Sequence, residues 1–78
     1  MRKAFHTGTE VEWDWENGTA IGKVKNTFTS EVVRQINGSN IRRKATYDNP
    51  AYMIIQEGGN QFLKLHSEIR RSYQDELL

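Results

Sequence analysis

Glu10-Val11-Glu12-Trp13-Asp14-Trp15-Glu16-Asn17-Gly18-Thr19-Ala20-Ile21-Gly22-Lys23-Val24-Lys25 consists of two alternating runs that meet at an Asn-Gly dipeptide. Successive side chains of a strand point to opposite faces, so Val11, Trp13 and Trp15 share one side while Glu10, Glu12, Asp14 and Glu16 share the other. The pattern predicts a β-hairpin with one apolar and one acidic face. Asn-Gly favours a two-residue type I′ turn, which places Glu16 opposite Thr19 and carries the register outward. Trp13 then faces Gly22, Glu12 faces Lys23, Val11 faces Val24 and Glu10 faces Lys25. Turn chemistry, apolar patterning and charge complementarity agree on this arrangement.

Further along, Val24 to Thr29 continues the second strand past Phe28, making it long and bent, and Thr29-Ser30-Glu31 reads as a loop. Glu31 to Ile36 and Ile41 to Ala45 flank a second turn cluster, Asn37-Gly38-Ser39-Asn40, and predict a second hairpin of poor periodicity. Tyr47-Asp48-Asn49-Pro50 breaks the chain, because Pro50 lacks an amide donor and biases Asn49 towards extended geometry. Tyr52-Met53-Ile54-Ile55-Gln56 is the strongest apolar run and predicts a strand buried on both faces. Gly58-Gly59-Asn60 closes a third hairpin onto Gln61-Phe62-Leu63-Lys64-Leu65. From Ser67 the spacing of Ile69, Tyr73 and Leu77 predicts a short C-terminal helix with Ser67 as its cap, although Arg70 replaces the acid of a capping box. The fold class is all-β: a small antiparallel barrel of about five strands over residues 5–66, with a helix or tail over 67–78, in one domain spanning 1–78.

Composition bounds the chemistry. A chain of 78 residues holds one small core and no large cleft. Zero cysteines remove disulfides and thiolate metal sites together, and with no signal peptide or apolar span the expected location is the cytoplasm, away from membranes. The net charge of +1 hides a polarity: residues 23–50 carry six Lys or Arg against Glu31 and Asp48, and the flanking thirds are acidic.

Phe5, Gly8, Val11, Trp13, Gly18, Gly22 and Val24, followed by Ala45, Asp48-Asn49-Pro50-Ala51-Tyr52, Gly59 and Ile69, resemble the small bacterial hypervirulence-associated Tudor-domain family. The resemblance runs from about Phe5 to Ile69. Its most specific parts are the Gly-x-x-Val-x-Trp opening and the Asp-Asn-Pro-Ala-Tyr element. It implies an SH3-like barrel of the Tudor type and a family whose biochemical function is largely unassigned. Gly8-Thr9 stands where the family usually has Gly-Asp, and Lys64-Leu65 where it often has a His-Lys pair.

The expected activity is that of a non-catalytic binding module for a protein or peptide partner, with no cofactor. Trp13, Trp15, Tyr47 and Tyr52 are the rings available for an aromatic cage that would take a methylated cation, but Trp13 and Tyr52 fit core packing better, since aromatics at strand period are usually interior. Arg42-Arg43-Lys44 beside Tyr47 is the alternative, a nucleic-acid contact, against the reading of an edge strand made positive to resist strand addition. Alternation at 42, 43 and 44 splits those charges between faces. A third alternative is a structural or adaptor role, or a homodimer in place of a monomer, through the C-terminal stripe of Ile69, Tyr73, Leu77 and Leu78. Catalysis is not expected: the carboxylates at 10, 12, 14 and 16 face lysines and solvent, with no burial to raise a pKa. His6 and His66 have neither cysteine partners nor metal-ligand spacing, so no metal site is predicted.

Overall fold

The computed structural model describes residues 4–73. Seven strands follow in order: β1 Glu10–Trp15, β2 Gly18–Phe28, β3 Val32–Ile36, β4 Ser39–Arg43, β5 Ala51–Ile55, β6 Gln61–Leu65 and β7 Arg70–Arg71, with a 3-10 turn at His66–Glu68 before the last. Five of them form one antiparallel sheet in the order β6-β5-β2-β1-β7, and β3 with β4 forms a separate two-stranded hairpin. The result is a small barrel-like β fold, as the alternating runs predict, with two more strands than expected.

The first hairpin forms, but two residues out of the predicted register. Val11 pairs with Gly22, Trp13 with Ala20 and Trp15 with Gly18, so Glu16 and Asn17 make the turn. A slip of two preserves the faces, because side chains alternate with period two. Val11, Trp13 and Val24 are therefore interior despite the shift. Contacts made by β2 on its other side explain the choice. A Cβ placed on Gly22 would lie 2.6 Å from Ile54 Cγ2 and 3.1 Å from the Ile55 carbonyl oxygen, so β5 packs close beside β2 where a residue has no side chain. Ile54, not Trp13, covers Gly22. Backbone bonds from Gly8 N–H to the Val24 carbonyl (2.8 Å) and from Val24 N–H to the Thr9 carbonyl (3.0 Å) extend the same register beyond β1.

β2 is long, as predicted, and its pairing with β5 is interrupted between Val24 and Asn26, a bulge that bends the strand. The second hairpin turns on Asn37 and Gly38, with φ 51° and 81°, between the paired Ile36 and Ser39. Two positive φ values in a two-residue loop make a type I′ turn. The third hairpin closes over Gly58 and Gly59 as predicted.

β5 is buried on both faces and divides the core. Tyr52 and Ile54 join Val11, Trp13 and Val24 on one side, whereas Ala51 joins Val32, Ala45 and Leu63 on the other, under the β3-β4 hairpin. The Tyr52 hydroxyl accepts a hydrogen bond from the Phe5 N–H (3.0 Å) and lies 2.7 Å from His66 Nδ1, which ties the chain before β1 to the 3-10 turn. Burial pushes the Tyr52 phenol above its ordinary range.

The predicted helix does not begin at Ser67. The Ser67 N–H donates to Asn49 Oδ1 (2.9 Å) and its hydroxyl accepts from Asn49 Nδ2 (3.1 Å), so Ser67 fastens the loop before β5 instead of capping a helix. Arg70 and Arg71 then pair with Glu12 and Val11 as a strand. Leu77 and Leu78 lie outside the described residues, so the stripe that would support an adaptor or dimer role is only represented by Ile69, packed on the core, and the exposed Tyr73.

Candidate interaction surface

The four rings considered from the sequence separate into two kinds. Trp13 and Tyr52 are interior, 4% and 0% exposed, with Trp13 packed against Phe62 at a centroid distance of 5.1 Å and Tyr52 against Phe5 at 5.7 Å. They build the core and present no face to a ligand. Trp15 and Tyr47 are 53% and 64% exposed, and neither contacts another ring among the described residues. Of these four rings two stand apart on the surface, and the four form no cage among the described residues.

Each exposed ring is carried by a short, closed piece of backbone. Trp15 ends β1 immediately before the Glu16-Asn17 turn. Tyr47 sits on a turn closed in both directions, by Thr46 N–H to the Asn49 carbonyl (3.1 Å) and by Asn49 N–H to the Thr46 carbonyl (3.2 Å). The Asn49 side chain is anchored in turn to Ser67, so the turn that carries Tyr47 is braced at its base.

The basic cluster divides as its alternation predicts. Arg42 and Lys44 are exposed, while Arg43 lies half-buried on the other face of the hairpin. Local partners already occupy most of this charge: Arg42 NH1 is 3.5 Å from Glu31, Arg43 Nε is 3.6 Å from Glu68, and the Arg34 guanidinium stacks over Phe28 at 4.7 Å. Lys44 makes no ion pair among the described residues. Exposed pairs of this kind contribute little to stability, but they lower the field that an anionic partner would meet.

The acidic face of β1 is not simply solvated. Arg70 places Nε 2.7 Å from Glu12 Oε2 and holds Asp14 with NH1 at 3.3 Å and NH2 at 3.0 Å. Ser72, almost wholly buried, donates its hydroxyl to Glu10 Oε1 (2.6 Å) and its N–H to the Glu10 carbonyl (3.0 Å). Hydrogen bonding and charge from Arg70 hold the Asp14 carboxyl below the usual carboxylate range. Glu12 and Asp14 raise Arg70 in return. These carboxylates are the landing site of β7, which sequence reasoning missed; the signal was Arg70 itself, a poor residue for a helix start and a good one for an acidic strand.

Two concave regions lie near these residues. One, of about 530 Å³, runs along β2 and the end of β5 between Glu10, Ile21, Lys23 and Glu57. The other, of about 330 Å³, lies between β4 and β6, with Ile36, Ile41, Phe62 and Leu63 in its walls and Arg43 and Lys64 beside them. Sequence spacing could not reveal the second, because its walls come from strands that are not neighbours along the chain. Among the described residues no group of three or more His, Asp or Glu is placed to hold a metal ion, and no helix is long and apolar enough to cross a membrane.

The family model for the hypervirulence associated proteins Tudor domain matches residues 8–69, which takes in every strand except β7. The chain belongs to that family. Comparison with curated proteins and with solved structures returned no match. Membership in the hypervirulence-associated Tudor family agrees with the strand-rich, barrel-like architecture and makes the chain a small binding module of a class that engages proteins or nucleic acids.

Proposed function

We propose that this Tudor domain is a non-catalytic module that binds a protein or peptide partner through its exposed loop-borne aromatics. The observation that carries the reading is the exposure of Trp15 at the end of a paired strand and of Tyr47 on a turn hydrogen-bonded at both ends. A large amphipathic ring left in water at the end of a paired strand, as Trp15 is, or on a braced turn, as Tyr47 is, costs little further entropy to immobilise, which is the property that makes aromatics effective binding anchors. Lys44, exposed, close to Tyr47 in sequence and without an ion pair among the described residues, adds a polar contact there. Cytoplasmic location belongs to the same proposal.

Nucleic acid is the second reading, favoured by the exposed Lys44 and Arg42 close in sequence to Tyr47. The two separate in one backbone-amide titration of labelled protein against unmodified and trimethyl-lysine peptides, single-stranded RNA and duplex DNA. Protein binding is expected to move the amides of Trp15 and of residues 44–47 with peptide, and to persist at moderate salt. Shifts confined to residues 42–47 with RNA or DNA that fall steeply with added salt would transfer the function to nucleic acid.

A further inference from the structure

We propose that the outer edge of β3 is a latent pairing surface whose occupant is a second copy of this chain, and that the Arg34 guanidinium keeps it closed. In an antiparallel pair, hydrogen-bonded and non-hydrogen-bonded positions alternate, and the residues flanking a two-residue type I′ loop are a bonded pair. Ile36 with Ser39 is that pair, so Arg34 with Ile41 and Val32 with Arg43 are bonded as well. Val33 and Gln35 therefore turn their N–H and C=O groups away from β4. No strand pairs with that side of β3 among the described residues, and Val33, Arg34 and Gln35 are all exposed. An exposed edge with outward main-chain groups is a template for another strand.

What covers this edge is a side chain. Arg34 Nη1 donates to the Val33 carbonyl at 2.8 Å, while the guanidinium stacks on the Phe28 ring 4.7 Å from its centroid. The ring thus steadies a cation across an outward carbonyl that an added strand would need. The other edge of the hairpin repeats the device at the same level: Arg42, cross-strand from Val33, has its carbonyl taken by Arg43 Nη1 at 2.9 Å. Arg43 is also paired with Glu68 of the 3-10 turn, whereas Arg34 has no ion pair among the described residues. The cover at β3 is held by a ring and a carbonyl alone.

Symmetry names the occupant. A twofold contact lays a patch against its own copy, so two β3 strands meet antiparallel about a single residue. An axis at Arg34, the middle of β3, overlaps the whole strand. It sets Val33 against Gln35 of the second copy and Val32 against Ile36. Val33 and Gln35 are the residues with outward groups, so they exchange N–H and C=O bonds in both directions. Only the axis itself is unfavourable: Arg34 stands directly opposite its own image, and like charges in facing positions are destabilising. The one arginine therefore acts twice, by occupying the Val33 carbonyl and by repelling its counterpart.

The test compares full-length chains by sedimentation velocity over a wide concentration range. The parent and Arg34→Glu are each expected to stay monomeric, since both set like charges at the axis. Arg34→Thr removes the charge and the cap and should self-associate roughly tenfold or more tightly than the parent. Mixing the parent with Arg34→Glu places opposite charges at the axis and should give a mixed dimer, a second reading if Arg34→Thr fails to fold. Val33→Pro removes an outward N–H without touching the β4 ladder and should return Arg34→Thr to the monomer. A folded Arg34→Thr that sediments like the parent, a mixture that stays monomeric, or a dimer that survives Val33→Pro would overturn the proposal. The loop-borne binding reading stands under each of these outcomes, because Trp15 and Tyr47 lie outside β3.

Discussion

Two hairpins in this chain carry the same Asn-Gly dipeptide, and only one of them turns on it. At Asn37-Gly38 both residues adopt positive φ and the strands pair directly around them. At Asn17-Gly18 the turn moves back by one residue to Glu16-Asn17, Asn17 keeps a negative φ, and Gly18 opens β2 with φ 129°. Among the described residues the β3-β4 hairpin pairs with no other strand, so its turn chemistry decides its register. In the β1-β2 hairpin each strand also pairs with another, β2 with β5 and β1 with β7. There the position of Gly22 beneath Ile54 outweighs a local preference. A turn signal thus fixes register where nothing competes with it, and yields by an even number of residues where a core does.

The comparison breaks most readily at Gly22. Gly22→Ala sets a methyl against Ile54 Cγ2 and the Ile55 carbonyl oxygen. Overpacking of this kind costs about 1–3 kcal/mol, against a gain of about 0.4–1 kcal/mol from restricting the unfolded chain. Net destabilisation is expected in urea denaturation, with part of it recovered when Ile54→Leu, which lacks the Cγ2 branch, is added, since residues in contact are not additive. A neutral Gly22→Ala would show that β5 does not set the first register.

The core offers a second, comparable test. Tyr52→Phe deletes the hydroxyl that accepts from the Phe5 N–H and contacts His66 Nδ1. Leaving such groups unmatched costs about 1–3 kcal/mol. The amide of Phe5 should then exchange with solvent markedly faster than in the parent protein. Unchanged protection at Phe5 would mean that the hydroxyl does not hold the segment before β1.

The paired asparagines give a smaller effect and a sharper contrast. Asn37 occupies the left-handed region at φ 51°, where an ordinary side chain costs about 1–2 kcal/mol. Asn17 does not. Asn37→Ala is therefore expected to lower the denaturation midpoint clearly, and Asn17→Ala to stay within about 0.5 kcal/mol. Equal losses would restore the type I′ turn to both hairpins.

How much of this was legible follows from the same distinction. Alternation placed Val11, Trp13 and Val24 inside, the run at 52–56 read as a strand buried on both faces, which the structure places at Ala51–Ile55, and the glycine-rich loops marked their hairpins. Register at the first hairpin was not legible, because it depends on which strand packs beside Gly22, a contact between residues 32 positions apart. The C-terminal segment misled for a related reason. Ile69 and Tyr73 have helical spacing, but Asn49 takes the hydrogen-bonding capacity of Ser67 and the acids of β1 take Arg70. Of the surface, the splitting of residues 42–44 between faces could be anticipated, whereas the β4-β6 trench exists only once two distant hairpins come together.

The smallest expected effect concerns the clamp that sets the first hairpin apart from the second. Arg70 reaches across from β7 to Glu12 and Asp14, and the Asp14 carboxyl is held below its ordinary value of about 3.9. A carboxyl whose pKa is lower folded than unfolded favours the native state, fully so above the unfolded value. The contribution disappears as pH falls through the lower, folded value. Stability of the parent protein should thus decline on acidification below about pH 4, and Asp14→Asn should remove part of that decline while changing little at neutral pH. Because Asp14 is exposed, added salt should shrink the difference between the two proteins. Identical acid limbs for parent and variant would mean that Arg70 holds β7 through Glu12 alone, and that the backbone pairing of Glu10 with Ser72 keeps the strand in place without Asp14.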